Sequence, residues 1–395
     1  MPGQAFPLRS LFAGALLAFA AAGAHAAQQP VKVGVALDVS GPFSALGAET
    51  RDGIALAVKL LDGKLGGVPA EFLQTDMGGD PDQARQLADR WIRRDHIDLF
   101  TGPIGSNVAL AVGPALFAAK VPYLSANAGP SQFAGKQCNA YFFGATYQND
   151  TVHEAAGKLA SDRGFKKTAL IAPNYPAGKD ALTGFKRLFT GTVGDELYTK
   201  LGQLDYAAEL AQLRASKPDS LYFFLPGAMG INFIKQFVAA GLSKDITLIA
   251  PAFSADEDII PAVGEPMLGL LNTSYWAHDL DNPANRKFVA EFRKAYKRYP
   301  SLYAAQGYDV IMAMDAAVRA VGGKVSDRPA LLKALKAASY ASVRGNFRYG
   351  NNQYPIQDYY VRVIGRDAQG VITNKLAGKV LEAHRDAYYK DCALK

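Results

Sequence analysis

Apolar runs of strand length alternate with amphipathic helical stretches along most of this chain, and the alternation runs twice. VKVGVALD, from Val31, precedes a segment whose apolar face is Ile54, Ala57, Val58 and Leu61, a period near 3.6. VPAEFLQTD, from Val68, leads to a helix opening at Asp80-Pro81, with Ala84, Leu87, Ala88, Trp91 and Ile92 on one stripe. IDLFTGP, from Ile97, enters SNVALAVGPALFAAK, and VPYLSAN follows from Val121. Strands this continuously apolar belong to a parallel sheet covered on both faces. After Tyr141 the pattern restarts with KTALIAP, VGDELYTKL, SLYFFLPG and TLIAPAF, each leading into a helical stretch. The fold class is therefore α/β, with two units of similar design. Two long helices follow, at about Asn285 to Arg298 and Leu302 to Val321. From Val343 the chain turns strand-rich, with an Asp-Ala-Gln-Gly turn between two extended runs.

Two such units in series set the loops at their strand C-termini facing one another across a cleft, where open α/β sheets bind ligands. Three loops of the first unit are rich in small residues and hydroxyls: DVSGPFSALG from Asp38, Gly102 to Asn107, and Ser125 to Gly129. A short Gly/Pro turn into a helix leaves the first helical N–H groups aimed outward, which suits an anion.

Residues 1–26 read as a secretory signal peptide, with Arg9, an uncharged run from Leu11 to Ala22 and an Ala24-His25-Ala26 cleavage site. The expectation is a soluble periplasmic protein. Cys138 and Cys392 then fit one disulfide in an oxidising compartment. The formal charge is +7, but the basic residues are interspersed with acids, as in Arg85, Arg90, Arg93 and Arg94 beside Asp82, Asp89 and Asp95. That is the pattern of solvated helix faces, and no nucleic-acid partner is expected.

The chain lacks G-x-x-x-x-G-K-[ST], G-x-G-x-x-G, G-x-S-x-G, C-x-x-C and H-E-x-x-H. His96, His153, His278 and His384 stand apart from one another, so no metal and no cofactor are expected. Ser106 opens a helix, where it serves either as a plain N-cap or as a ligand contact.

Together these motifs resemble the periplasmic solute-binding proteins of ABC importers, most nearly the branched-chain amino acid (leucine/isoleucine/valine-binding) family. The resemblance rests on VKVGVALDVSGPFSALGAETRDGIALAV, TGPIGSNVALAV, VPYLSANAG, PNYPAGKDALTGFK and NPANRKFVAEFRKAYKRYPSLYAAQGYDVIMAMDAAV. It implies a type I periplasmic binding fold: two Rossmann-like lobes with a ligand cleft between them, closing by a hinge and performing no catalysis. Lobe 1 would be residues 27–144 and 277–342, and lobe 2 residues 145–276 and 343–395. It implies ligand-binding roles for Phe43, Ser44, Ser106, Asn127, Ala128 and Gly129 from lobe 1, and for Tyr175, Gly227, Asp256 and Glu257 from lobe 2. Asp256-Glu257 could instead cap the helix that follows, and Tyr175 could be a packed surface aromatic. The implied partners are a small carboxylate and a membrane permease.

One departure stands out. Gly129 occupies a position where the family carries a hydroxyl near the ligand's amino group. GNFRYGNNQYPIQDYYVR is similar instead to members that bind aromatic acids such as benzoates and phenylpropenoates. The expected ligand is an aromatic carboxylate, with an amino acid as the alternative. A secreted α/β hydrolase or amidase is the alternative of another class, and a ligand-sensing receptor domain of the same fold stays open.

Overall fold

The computed structural model describes residues 1–2 and 29–394; the signal-peptide reading falls on residues outside these. The first sheet contains β1 (Val31–Leu37), β2 (Lys64–Leu65), β3 (Val68–Asp76), β4 (Leu99–Thr101), β5 (Tyr123–Ser125) and β6 (Phe142–Gly144), in the order β2-β3-β1-β4-β5-β6. The second contains β7 (Lys167–Pro173), β8 (Thr192–Thr199), β9 (Ser220–Phe223), β10 (Thr247–Pro251) and β11 (Leu271–Ser274), extended by β12 (Arg348–Tyr349), β13 (Pro355–Arg366) and β14 (Ile372–His384). Within each sheet five strands run parallel in the same order, the first lying between the second and third. The restart of the alternation after Tyr141 is thus a repeat of topology. β13 joins the parallel set antiparallel to β11 and pairs with β14 across a turn at Asp367 to Val371, where Gly370 has φ of +82°.

Helices α1 (Ser44–Leu60), α2 (Pro81–Arg90), α3 (Ser106–Ala118) and α4 (Ser131–Ala134) follow strands of the first sheet. The side chain of Asp80 caps α2, accepting from Asp82 N and Gln83 N. Helices α5 (Asn149–Asp162), α6 (Pro176–Leu188), α7 (Ala207–Ser216), α8 (Ala228–Ala239) and α9 (Ile260–Val263) belong to the second. The chain then leaves that sheet for α10 (Pro283–Tyr296), α11 (Leu302–Ala320) and α12 (Arg328–Ala337), and α11 lies along α1. Gly53 and Gly307 make that contact possible: a Cβ at Gly53 would lie 1.9 Å from Ala304 O, and one at Gly307 would lie 2.2 Å from Thr50 O. The chain therefore passes between the two units three times, after β6, after β11 and after α12.

Beyond β14 the chain returns across the first pass. Cys392 is joined to Cys138 by a disulfide with a Cα separation of 5.6 Å. Tyr388 donates through its hydroxyl to Asp150 at 2.8 Å, and Arg187 donates to Asp150 at 2.8 Å and also to Glu154. Burial pushes the Asp150 carboxyl up to about 7, and the neighbouring Asp180 acts in the same direction, against the pull of Gln148 and Arg187.

Two outcomes follow. Breaking the bond with Cys138→Ser, which opens a loop of sequence separation 254, should cost roughly 2–5 kcal/mol; a melting temperature unaffected by the change would contradict it. The Asp150 carboxyl ionises near 3.8 in an unfolded chain and near 7 in the native one. The native state therefore binds more protons between those values, and this group's contribution to stability falls as pH rises through the window. Asp150→Asn should flatten the fall in melting temperature between about pH 4 and 7. An unchanged slope would show that other groups set it.

Candidate functional site

In both sheets the strand order reverses beside the first strand, so the loops after β1 and β4, and after β7 and β9, flank a crevice at the strand C-termini. The two crevices face each other. Between them lies a nearly filled cavity of about 10 Å³, no more than a single water molecule needs. The first unit and α11 supply Phe43, Leu46, Ile104, Ser106, Asn127 and Tyr303; Tyr147, from the first pass between units, joins Tyr175, Ala177, Phe224, Pro226 and Phe253.

Six of these walls are aromatic. Phe43 meets Tyr175 across the cleft with ring centroids 6.0 Å apart, and Tyr175 stacks on Phe224 at 6.4 Å. Tyr147 packs against Phe253 at 4.9 Å and, behind the wall, stacks on Tyr275 at 5.5 Å. Phe253 also meets Tyr303 at 6.1 Å. Burial raises the phenols of Tyr147, Tyr175 and Tyr303, so all three are neutral at physiological pH. Among the described residues, no lysine, arginine, aspartate or glutamate is on the wall.

The polar end is built on helix N-termini. α3 starts at Ser106 behind Gly105, and α6 starts at Pro176 behind Tyr175; neither is capped by a side chain. Their positive dipole ends converge on the cavity. Asp38, buried at the end of β1, holds the α3 start in place by accepting from Ile104 N at 2.7 Å, Gly105 N at 3.4 Å and Gly79 N at 3.0 Å. Ser106 Oγ accepts from Asn149 Nδ2 at 3.1 Å. An amide cannot take up the serine proton, so this contact does not make a nucleophile-base pair. Asn127 Nδ2 donates to Gln306 at 2.8 Å, and Gln306 donates in turn to Tyr275 at 2.7 Å.

Of the residues singled out in the sequence, Phe43, Ser106, Asn127 and Tyr175 share this cavity. The others lie elsewhere. Ser44 is exposed at the start of α1, and Ala128 packs in the core between α3 and the first sheet. Gly129 faces the first pass between units, where a Cβ would come within 2.6 Å of Tyr147 O. Gly227 precedes α8 with φ of +61°, beside Leu46 rather than on the wall. Asp256 forms a buried ion pair with Arg362 at 2.8 Å and accepts from Leu302 N. Glu257 accepts from Thr373 Oγ1 at 3.0 Å and from Asn374 N at 2.9 Å. Both carboxylates thus pin the β14 hairpin and the α11 start instead of reaching the cavity.

Sequence reasoning missed Phe224, Phe253, Tyr147 and Tyr303. Phe224 follows β9 directly and Phe253 stands two residues past β10, and their place at strand C-termini is a signal the sequence carries. Tyr147 lies on a pass between units and Tyr303 on a helix, and neither carries a local signature.

Among the described residues no helix is long and apolar enough to cross a membrane, and no cluster of His, Cys, Asp and Glu suits a metal ion. The chain is similar to the Leu/Ile/Val-binding protein homolog 6 of Brucella melitensis, at 31% identity over 373 residues, covering 91% of this chain and 94% of that one. It superposes with a TM-score of 0.87 and 32% identity on an R. palustris ABC-transporter solute-binding protein in complex with benzoate, covering 93% and 100%. A Rhodopseudomonas palustris BisB5 solute-binding protein in complex with 3,4-dihydroxybenzoic acid gives 0.85 and 28%, covering 91% and 99%. The profile of the family described as periplasmic binding protein matches residues 30–369, and with two like units closing an aromatic cavity between their strand ends, the chain belongs to that family, the solute-binding components of ABC transporters.

Proposed function

We propose that this protein binds a small aromatic carboxylate of the benzoate class between its two units and presents it to a membrane permease. The observation that carries this reading is the composition of the cavity wall: six aromatic rings, no charged side chain, and one serine at an uncapped helix start. A flat ring gains from such walls, since well-placed aromatic pairs add about 0.5–1.5 kcal/mol beyond burial. A carboxylate gains from the Ser106 hydroxyl and the α3 dipole, and hydrogen bonds to charged groups are worth ~1.5–3 kcal/mol. An α-ammonium group has no carboxylate partner on the wall, because Asp256 and Glu257 are engaged elsewhere. The R. palustris relative crystallised with benzoate supports the same class.

On this reading the units part to admit the ring, Phe43 and Tyr175 face it from opposite units, and Ser106 and Asn127 hold the polar end. Residues 27–144 and 277–342 move against 145–276 and 343–395, with hinges near Gly144, Ala277 and Ser342. Residues 1–26 direct export to the periplasm. As a binding protein it performs no catalysis, and the Ser106–Asn149 contact supplies no base. Amino-acid binding is the second reading, favoured by the Brucella relative's name.

Calorimetry with benzoate, 4-hydroxybenzoate, cinnamate, leucine and isoleucine separates the two. Micromolar binding of a benzoate is expected, with leucine and isoleucine silent. Ser106→Ala should weaken the benzoate about 10- to 100-fold, the loss of one charge-assisted hydrogen bond. Micromolar leucine binding with no response to any aromatic acid would overturn the assignment.

A further inference from the structure

The side chain of Asn149 is fully committed, and its commitments decide what Ser106 can do. Oδ1 accepts from Gly129 N at 2.9 Å, while the Asn149 N–H donates to Gly129 O at 2.8 Å. The two Nδ2 hydrogens go to Ser106 Oγ at 3.1 Å and to Asp180 Oδ2 at 2.9 Å. Turning the amide over would set its oxygen against the Asp180 carboxylate and its NH2 against the Gly129 N–H, so only one orientation satisfies the site. Ser106 Oγ is therefore an acceptor toward Asn149. Its own hydrogen is left to donate, and Ser106 lines the cavity.

Asp180 comes from the opposite unit. It lies on α6, and besides Asn149 it accepts from Ser131 Oγ at 2.7 Å and Ser131 N at 3.1 Å, both on α4 of the first unit. Asn149 opens α5 of the same unit as Asp180, and its paired bonds with Gly129 reach the first unit. Asp180 thus accepts two hydrogen bonds across the gap between units, both from Ser131, and one within its own unit, from Asn149, and all of the groups involved are buried except the partly exposed Ser131. The bonds of Asp180 with Ser131, and of Asn149 with Gly129 and Ser106, exist only when the units meet.

We propose that Asn149 is a positioning residue and Asp180 an inter-unit latch: Asp180 holds one Nδ2 hydrogen of Asn149 within the second unit, and when the units close and Ser131 engages Asp180, the other Nδ2 hydrogen meets Ser106 and turns the serine hydrogen toward the ligand carboxylate. Closure and the orientation of the donor are then one event. This deepens the carboxylate reading given above and rests on it.

The test is a double-mutant cycle on benzoate affinity, read by calorimetry for the wild type, Ser106→Ala, Asn149→Ala and the double variant. Asn149→Ala should weaken benzoate about tenfold when Ser106 is present, and less than about twofold when it is already alanine. A purely structural asparagine would weaken both backgrounds equally, and that additive outcome overturns the proposal. If Asn149→Ala fails to fold, Asp180→Asn, which leaves the Asn149–Gly129 pair intact, takes its place in the cycle with the same expectation. A wild type silent toward benzoate but binding isoleucine would refute the ligand reading alone. The cycle is then read with isoleucine, whose carboxylate would meet the same hydroxyl. A wild type that binds neither refutes both.

Discussion

The buried carboxylate of Asp38 is the fixture on which the site depends. It stands at the end of β1 and accepts from backbone amides of the loops after β3 and β4. Burial raises its pKa, and those amides pull it the other way. They also hold the chain at the one place where α3 can begin with Ser106 facing the cleft. Close packing reinforces the arrangement. A Cβ at Gly47 would come within 2.1 Å of Asp38 O, and one at Gly102, where φ is +83°, within 1.8 Å of Ala36 O. Any larger residue would push the β4 loop off the sheet.

From that fixture the electrostatics of the cavity follow. Three acids near it are turned to other duties: Asp180 to Ser131 and Asn149, Asp256 to Arg362, Glu257 to Thr373 and Asn374. The wall that remains is neutral, and its polarity comes from one hydroxyl, one amide, three un-ionised phenols and two helix ends. Such a surface favours a small anion with an apolar body over a zwitterion, since each charge placed there without a partner bears its full desolvation cost. The passes between units have their own fixture. Arg344, after the third pass, donates to Ala145 O and to Thr146 O beside the first, at 2.5 Å to the latter, and to Gln357 at 3.1 Å.

Much of this was legible in the sequence. The strand periodicity announced two α/β units, loop position at a strand end marked the stretches that hold Phe43, Ser106 and Asn127, and the family resemblance singled out these residues and Tyr175. Residues that depend on the meeting of distant segments were not legible. Tyr303 reaches the cavity because α11 packs on α1, and Tyr147 because the first pass runs beneath the β5 loop. Asp256 and Glu257 have the residue type and position of ligand contacts, but Arg362 and Asn374, more than 100 residues further on, claim them. Gly129 shows the same limit: its place in the loop suggested contact with a ligand, whereas its backbone is spent on Asn149.

The most direct test of the account is a crystal structure of the protein grown with benzoate. The account predicts a carboxylate oxygen within about 3.2 Å of Ser106 Oγ, with the ring held between Phe43 and Tyr175. Benzoate bound outside the space between the two sheets, or lying there with its carboxylate turned away from the α3 start, would contradict it.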